Sequence, residues 1–158
     1  FRILIFFMKH LLTLLLFIST SVMADETLVP LKDYTTNKPN WQSDAYEIYY
    51  VATRCALATH AAYDEMLKHN KEEALDRLHD RGYNMAVNAV LYLEENTNKA
   101  FYFSIYEEQK LESLFSFYQD EAKKSYIENN KFKGIIGSDI ITCDGYESFY
   151  HSLVQRVV

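Results

Sequence analysis

The chain has 158 residues, of which 49% are hydrophobic and 15% aromatic, and its formal net charge is −6 at pH 7. This size is typical of one globular domain with a single core. The negative charge, with no visible basic patch, argues against binding to nucleic acid or to an anionic membrane, whose phosphates would repel the chain. The sequence contains no glycine-rich phosphate loop, G-x-S-x-G elbow or H-E-x-x-H motif, which speaks against the enzyme classes that these motifs mark.

The first 24 residues have the organisation of a bacterial signal peptide with an upstream extension. A start at Met8 gives a basic n-region at Lys9, then an apolar h-region and a small-x-small pattern that ends at Ala24. We therefore predict cleavage after Ala24 and export to the periplasm or the medium, with residues 1–7 as an upstream artefact. The alternative is a membrane anchor, but the apolar run is about fourteen residues long and a spanning helix needs about 17–25.

Two further segments follow the predicted signal peptide. Residues 25–42 contain both prolines, Pro30 and Pro39, together with polar turn-forming residues, and this composition predicts an extended lead-in. Residues 43–158 form the predicted helical domain. Cleavage removes two basic residues and no acid, so the exported chain carries a formal charge of −8 instead of −6. We expect no stable membrane anchor after cleavage.

The helical domain opens with a long amphipathic helix, for which Ser43 is the predicted N-cap. Charged residues, Arg54 among them, are predicted to lie off its apolar seam. Gly82 lies on the seam of a second helix, where it would permit a close helix contact. The first seam comprises Ala45, Ile48, Ala52, Cys55, Thr59, Ala62 and Met66, and the second comprises Leu75, Leu78, Gly82, Met85, Ala89 and Tyr92 or Leu93.

Two more helices complete the predicted domain. The third covers residues 100–129, with a possible break near Glu107, and its aromatic start at 101–106 is compatible with either helix or strand. A glycine-containing loop at 129–137 follows, and the last helix begins near Asp139. Its inward residues are predicted to be Ile140, Cys143, Tyr146 or Glu147, Tyr150 and Leu153. Four amphipathic helices with short connections predict an all-α fold, an antiparallel up-and-down four-helix bundle.

The two cysteines, Cys55 and Cys143, fall on the inward seams of the first and last predicted helices, which are neighbours in such a bundle. In an exported protein this favours one disulfide. The bond would close a loop of about 89 residues and contribute about 4–5 kcal/mol by chain entropy. A reactive thiol paired with His60 and a metal ligand are the alternatives, but Cys55 and His60 point about 140° apart on one helix.

Two surface constellations are candidates for function. Asp76 and His79 form a carboxylate-x-x-His pair. Di-iron bundles use two such pairs, whereas this sequence contains only one. The two residues therefore form either a weak metal site or part of a solvated helix face. Tyr46, Tyr49 and Tyr50 crowd the start of the first helix, where they form either an amphipathic rim or a binding surface, since tyrosine is enriched in recognition patches. No cofactor is implied by either set.

These observations predict a non-catalytic binding protein of the bacterial envelope, whose partner is a protein or a small apolar ligand. One alternative is a periplasmic stress chaperone. In being helical, exported and held by one disulfide, the predicted chain resembles small acid-stress chaperones of the periplasm, although their cysteines lie much closer in sequence. The other alternative is a metal-binding bundle enzyme that uses Asp76 and His79.

Overall fold

The computed structural model describes residues 28–69, 75–97, 105–126 and 131–154, with the backbone alone at 75–76, 105–109 and 154. The described residues are all-helical and contain five α-helices where four were predicted, so the four-helix count is not confirmed. None of these helices is long and apolar enough to cross a membrane. The helices are α1 (Leu31–Asn37), α2 (Ala45–Lys68), α3 (Leu75–Thr97), α4 (Ile105–Tyr126) and α5 (Gly134–Val154), and a 3-10 turn (Trp41–Ser43) precedes α2.

The extra helix lies in the segment that was predicted to be an extended lead-in. Pro30 occupies the N-cap position of α1, where its fixed φ suits the turn and its missing N–H is no loss. Leu31 and Trp41 are buried in the apolar core. The prediction of an extended segment was wrong because it weighed the prolines and polar residues and not these two large side chains.

Helix α2 begins one residue later than predicted, because the N-cap is Asp44 and not Ser43. The Asp44 carboxylate accepts hydrogen bonds from the backbone N–H groups of Tyr46 and Glu47, at 2.8 and 3.3 Å. The predicted seam is buried at its central positions, whereas Ala45 and Met66 at its ends are only half-buried. These central positions are Ile48, Ala52, Cys55, Thr59 and Ala62.

Helix α3 packs closely on α2 at the predicted glycine. A Cβ atom added to Gly82 would lie 1.9 Å from Thr59 Oγ1 and 3.1 Å from Ala56 Cα, so only glycine permits this separation of the two backbones. Helix α4 runs without interruption from Ile105, so the break considered near Glu107 does not occur. Residues 101–104 lie outside the described residues, whereas 105 and 106 are helical.

Helix α5 begins five residues before the predicted start at Asp139. Gly134 has a φ of +64°, which lets the chain turn into the helix, and Gly137 N–H already donates to Lys133 O at 3.3 Å. Ile136 is fully buried. The second half of the predicted loop is therefore helical, because burial of Ile136 outweighs the loop preference of two nearby glycines.

The apolar core has two clusters that follow one another along α2. The first surrounds Cys55 and includes Leu31, Trp41 and Tyr150, whereas the second contains Ala58 and Tyr118. Within the described residues, α2 packs on α3, α4 and α5, while α3 and α4 each pack on α5 but not extensively on each other. An up-and-down bundle would make α3 and α4 neighbours, so that topology is not confirmed.

The predicted disulfide is present between Cys55 on α2 and Cys143 on α5, whose Cα atoms are 5.6 Å apart. Both cysteines are fully buried and neither is free. The alternative of a reactive Cys55 thiol is therefore excluded in this oxidised state, and His60 lies elsewhere on the surface.

Candidate functional site

The largest departure from the sequence analysis is a buried polar cluster formed by Arg54 on α2, Tyr118 on α4 and Asp139 on α5. Arg54 was predicted to lie off the apolar seam, but its side chain is fully buried and forms an ion pair with Asp139. Its Nε donates to the Tyr118 hydroxyl at 2.9 Å, and that hydroxyl donates to Asp139. The cluster ties three helices together.

The same polar cluster holds the lead-in. Arg54 Nη2 donates to Val29 O at 2.9 Å, and the Leu31 backbone N–H donates to Asp139 Oδ1 at 2.6 Å. The guanidinium Nη1 is buried without a hydrogen-bond partner among the described residues. Because an unpaired charge in the core is costly, Arg54 and Asp139 are expected to stay paired, and their hydrogen bonds to Val29 and Leu31 help to anchor the lead-in.

Protonation in the cluster is set by burial and by the neighbouring charges. Burial, followed by the charge of Asp139, raises the pKa of Tyr118 well above its usual range, so the hydroxyl stays neutral and donates. Burial would lower the pKa of Arg54, but Tyr118 and Asp139 outweigh burial and raise it. A permanently charged arginine and a neutral tyrosine, both enclosed, favour a structural role over proton transfer.

The three tyrosines of the predicted binding surface differ in exposure. Tyr46 is 55% exposed, whereas Tyr49 and Tyr50 are half-buried. The Tyr50 ring lies 4.9 Å from the Tyr34 ring, and Lys110 Nζ lies 5.9 Å above the Tyr50 ring. Only Tyr46 therefore presents most of its ring area to a partner.

The two metal candidates are not brought into a ligand cluster among the described side chains. Asp76 lies in α3, but its side chain is outside the described part of the chain. No three or more His, Cys, Asp or Glu side chains in that part are placed to hold a metal ion. His79 instead takes part in an aromatic assembly that the sequence analysis did not predict.

This assembly, here called the ring ladder, crosses three helices and comprises His60 and Tyr63 on α2, His79 and Tyr83 on α3, and Phe115 on α4. The His60 ring centroid lies 5.4 Å from that of Phe115 and 5.7 Å from that of His79. Tyr63 lies 5.1 Å from His79, and His79 lies 6.4 Å from Tyr83 with the planes only 6° apart. Such spacing is typical of mutually stabilising aromatic pairs.

The ring ladder faces solvent. Tyr83 is 62% exposed, and His60, Tyr63, His79 and Phe115 are each half-buried. The Asp64 carboxylate lies 3.9 Å from His60 Nε2, and the Asp80 carboxylate lies 3.6 Å from His79 Nδ1. The surface therefore combines partly exposed aromatic rings with acidic borders, and the close packing at Gly82 fixes the two helices that carry most of the rings.

One pocket among the described residues is small. It lies between α3 and α5, and its cavity volume of about 10 Å³ suits a single water molecule. Its lining residues are Arg81, Asn84, Met85, Asn88, Glu147, Tyr150 and His151. A small apolar ligand, one of the two predicted partner types, finds no room in this pocket.

Comparison with protein-family models, with curated proteins and with solved structures found no match. The assignment of a site therefore depends on the geometry described above.

Two signals in the sequence point to the features that were missed. Arg54 lies on a second buried seam of α2, whose other members are small or apolar. They follow one another at three- and four-residue intervals: Val51, then Arg54 itself, Ala58 and Ala61. For the ring ladder, the signal is two pairs of ring-bearing residues about one helical turn apart. His60 and Tyr63 form the pair on α2, and His79 and Tyr83 form the pair on α3. The contact between the two pairs depends on helix packing, which the sequence alone did not specify.

Proposed function

We propose that this protein is an exported, non-catalytic binding protein of the bacterial envelope and that the ring ladder is its binding face. The observation that carries the proposal is a connected set of partly exposed aromatic rings on three helices whose packing fixes them. Helices α2 and α3 pack closely at Gly82, and a buried hydrogen bond from Arg54 to Tyr118 joins α2 to α4. Rigid aromatic side chains lose little conformational entropy on binding and dominate protein interfaces.

Three of the sequence-based expectations belong to this proposal. The signal peptide ends at Ala24, the mature protein acts in the periplasm or the medium, and Tyr46, Tyr49 and Tyr50 form a second contact area in which Tyr46 is the exposed member. The disulfide is consistent with an oxidising compartment. We also propose that α2–α5 alternate in direction, which is supported by the contacts of Cys143 with Cys55 and of Tyr150 OH with Ile48 O at 2.8 Å.

The experiment that tests the proposal is site-specific photo-crosslinking in living cells. A photoreactive phenylalanine analogue replaces Tyr83 in the ring ladder or, as a matched control, Ile141, which is 75% exposed on α5. We expect one defined protein adduct from position 83 and none from position 141. Equal adducts from both positions, or none from 83, would contradict the proposed binding face.

A stress chaperone is the second candidate, because the lead-in buries Leu31 and Trp41, and its backbone at Val29 and Leu31 is hydrogen-bonded to the buried ion pair. A chaperone should expose this apolar surface under stress. Binding of an environment-sensitive dye, followed as the pH is lowered, together with suppression of aggregation of a client protein, distinguishes the two candidates. An interaction protein shows neither effect.

A further inference from the structure

We infer that the ring ladder binds a cationic segment of its protein partner, whose guanidinium or ammonium groups contact Tyr83 and the solvent-facing parts of the other rings. This inference rests on the proposed function, because it names the chemistry of the partner at the same face. It commits to a basic polypeptide as the occupant, in preference to a second copy of this chain or a neutral apolar ligand.

The first argument is the ring geometry. A cation is attracted to the face of an aromatic ring when it lies within about 6 Å of the centroid. Successive rings of the ladder are 5.1–6.4 Å apart, so neighbouring cationic groups along a peptide could each reach a ring. The chain already makes such contacts at other tyrosines, with Lys38 Nζ 4.7 Å from the Tyr34 centroid and Lys110 Nζ 5.9 Å from that of Tyr50.

The second argument is charge complementarity. Asp64 and Asp80 border the rings on α2 and α3, and the exposed Glu112 precedes Phe115 by three residues on α4, so each helix of the ladder supplies a carboxylate. The exposed Arg77 lies two residues from His79 and therefore projects about 160° away around α3. The net charge of −6 also attracts a cationic partner and opposes self-association.

The test uses the full oxidised protein and three blocked peptides of equal length, made of arginine, of its neutral isostere citrulline, or of glutamate. Binding is followed by two-dimensional NMR at low salt and again at about 0.15 M salt, where exposed charges are screened beyond about 8 Å. We expect the arginine peptide alone to shift the signals of His79 and Tyr83, with weaker affinity at the higher salt.

Variants connect the binding to the named residues. Tyr83→Ala should weaken binding of the arginine peptide about two- to fivefold, which corresponds to one exposed cation–π contact. Asp80→Asn should weaken binding and reduce its salt dependence, because one carboxylate charge is lost. Ile141→Ala, at a 75% exposed position on α5, which carries no ring of the ladder, should leave the affinity unchanged and serves as the matched control.

Equal binding of the arginine and citrulline peptides, or an affinity that Tyr83→Ala does not change, would overturn the inference. Concentration-dependent shifts of the ladder without any peptide would indicate a second copy as the occupant and would also overturn it. If position 83 crosslinks to a partner that lacks a basic segment, the inference fails while the proposed function stands. If arginine peptide binds the ladder but position 83 captures no protein in cells, the proposed function fails and the inferred partner fails with it.

Discussion

At the scale of single residues, removing one partner of the buried ion pair between Arg54 and Asp139 should be strongly destabilising. Asp139→Asn leaves the guanidinium buried without its counter-charge and weakens the anchorage of Leu31, so we expect a loss of about 3–5 kcal/mol in the free energy of unfolding. Urea denaturation at neutral pH, followed by circular dichroism, measures this loss.

An exposed ion pair provides the matched control for this prediction. Lys38 and Glu47 also form an ion pair, but the lysine is largely exposed, so Lys38→Met should cost less than about 1 kcal/mol. Replacing both Arg54 and Asp139 by apolar residues should recover part of the loss, since neither charge is then buried alone. Similar costs for Asp139→Asn and Lys38→Met would show that the buried pair has no special weight.

Burial of tyrosine hydroxyls makes the free energy of unfolding depend on pH in the alkaline range. Burial, followed by hydrogen bonding to Glu47, raises the pKa of Tyr34 from 10.0 to about 12, and burial raises the pKa of Tyr118 and Tyr150 well above the usual range. The folded state holds these hydroxyls in the neutral form, so their contribution to stability is complete below about pH 10, the usual pKa of tyrosine. The contribution is lost as the pH rises through 10 towards 12 and beyond, because ionisation then favours the unfolded chain.

Absorbance of tyrosinate, measured during alkaline titration of the folded protein and of the protein in guanidinium chloride, tests this expectation. Part of the tyrosine signal should appear only above pH 10 in the folded protein, whereas all of it should appear near pH 10 in the unfolded chain. Identical curves would contradict the assignment of Tyr34, Tyr118 and Tyr150 as shielded. Tyr150→Phe should remove part of the delayed signal and cost about 1 kcal/mol, because its hydrogen bond to Ile48 O is lost.

At the scale of helices, the contact between α2 and α3 depends on Gly82. Gly82→Ala would place a methyl group 1.9 Å from Thr59 Oγ1 and 3.1 Å from the Ala56 backbone, so the buried Thr59 side chain must move and the two helix backbones must shift slightly apart. We expect a loss of about 1–3 kcal/mol in the free energy of unfolding, measured by thermal and urea denaturation. The shift should also disturb the contact between His60 and His79 in the ring ladder.

The matched control is Gly145→Ala on α5, where no atom lies within 4 Å of an added Cβ. Alanine favours helix over glycine, so this variant should be more stable by up to about 1 kcal/mol. If both alanine variants stabilised the protein, the close packing at Gly82 would be wrong.

Helix positions were predictable where one strong periodic signal acted. The seam of α2 and the role of Gly82 followed from spacing alone, because apolar residues at three- and four-residue intervals have one way to be buried on a helix. Arg54 was not placed correctly because the prediction treated charge as a sign of exposure. A charge can be buried when partners on other helices satisfy it, and Tyr118 and Asp139 lie 64 and 85 residues further along the chain.

At the scale of the whole molecule, the lead-in is part of the core. Trp41 lies 4.9 Å from the Tyr146 ring and 5.3 Å from the Phe149 ring, and it is 5% exposed. Trp41→Ala should therefore cost about 3–5 kcal/mol in the free energy of unfolding, as expected for a large buried side chain. Urea denaturation followed by circular dichroism is suitable, because the variant lacks the tryptophan fluorophore.

Val29→Ala is the control within the same segment. Its side chain is 44% exposed and the contact with Arg54 uses only its backbone carbonyl, so the change should stay within about 0.5 kcal/mol. If Trp41→Ala were equally mild, the lead-in would be a loosely attached tail, as its composition first indicated. That first interpretation failed because local composition does not reveal a docking partner as distant in sequence as Asp139.

The bond between Cys55 and Cys143 has a consequence for biogenesis. The two cysteines of this sequence admit a single intramolecular pairing, so oxidation cannot produce a scrambled isomer and requires an electron acceptor but no isomerase. Their separation of 88 residues places the second thiol on the last described helix, after α3 and α4 have been synthesised. Closure of the bond is therefore a late event, and the oxidised fraction of newly made protein would report how many chains have brought α5 onto α2.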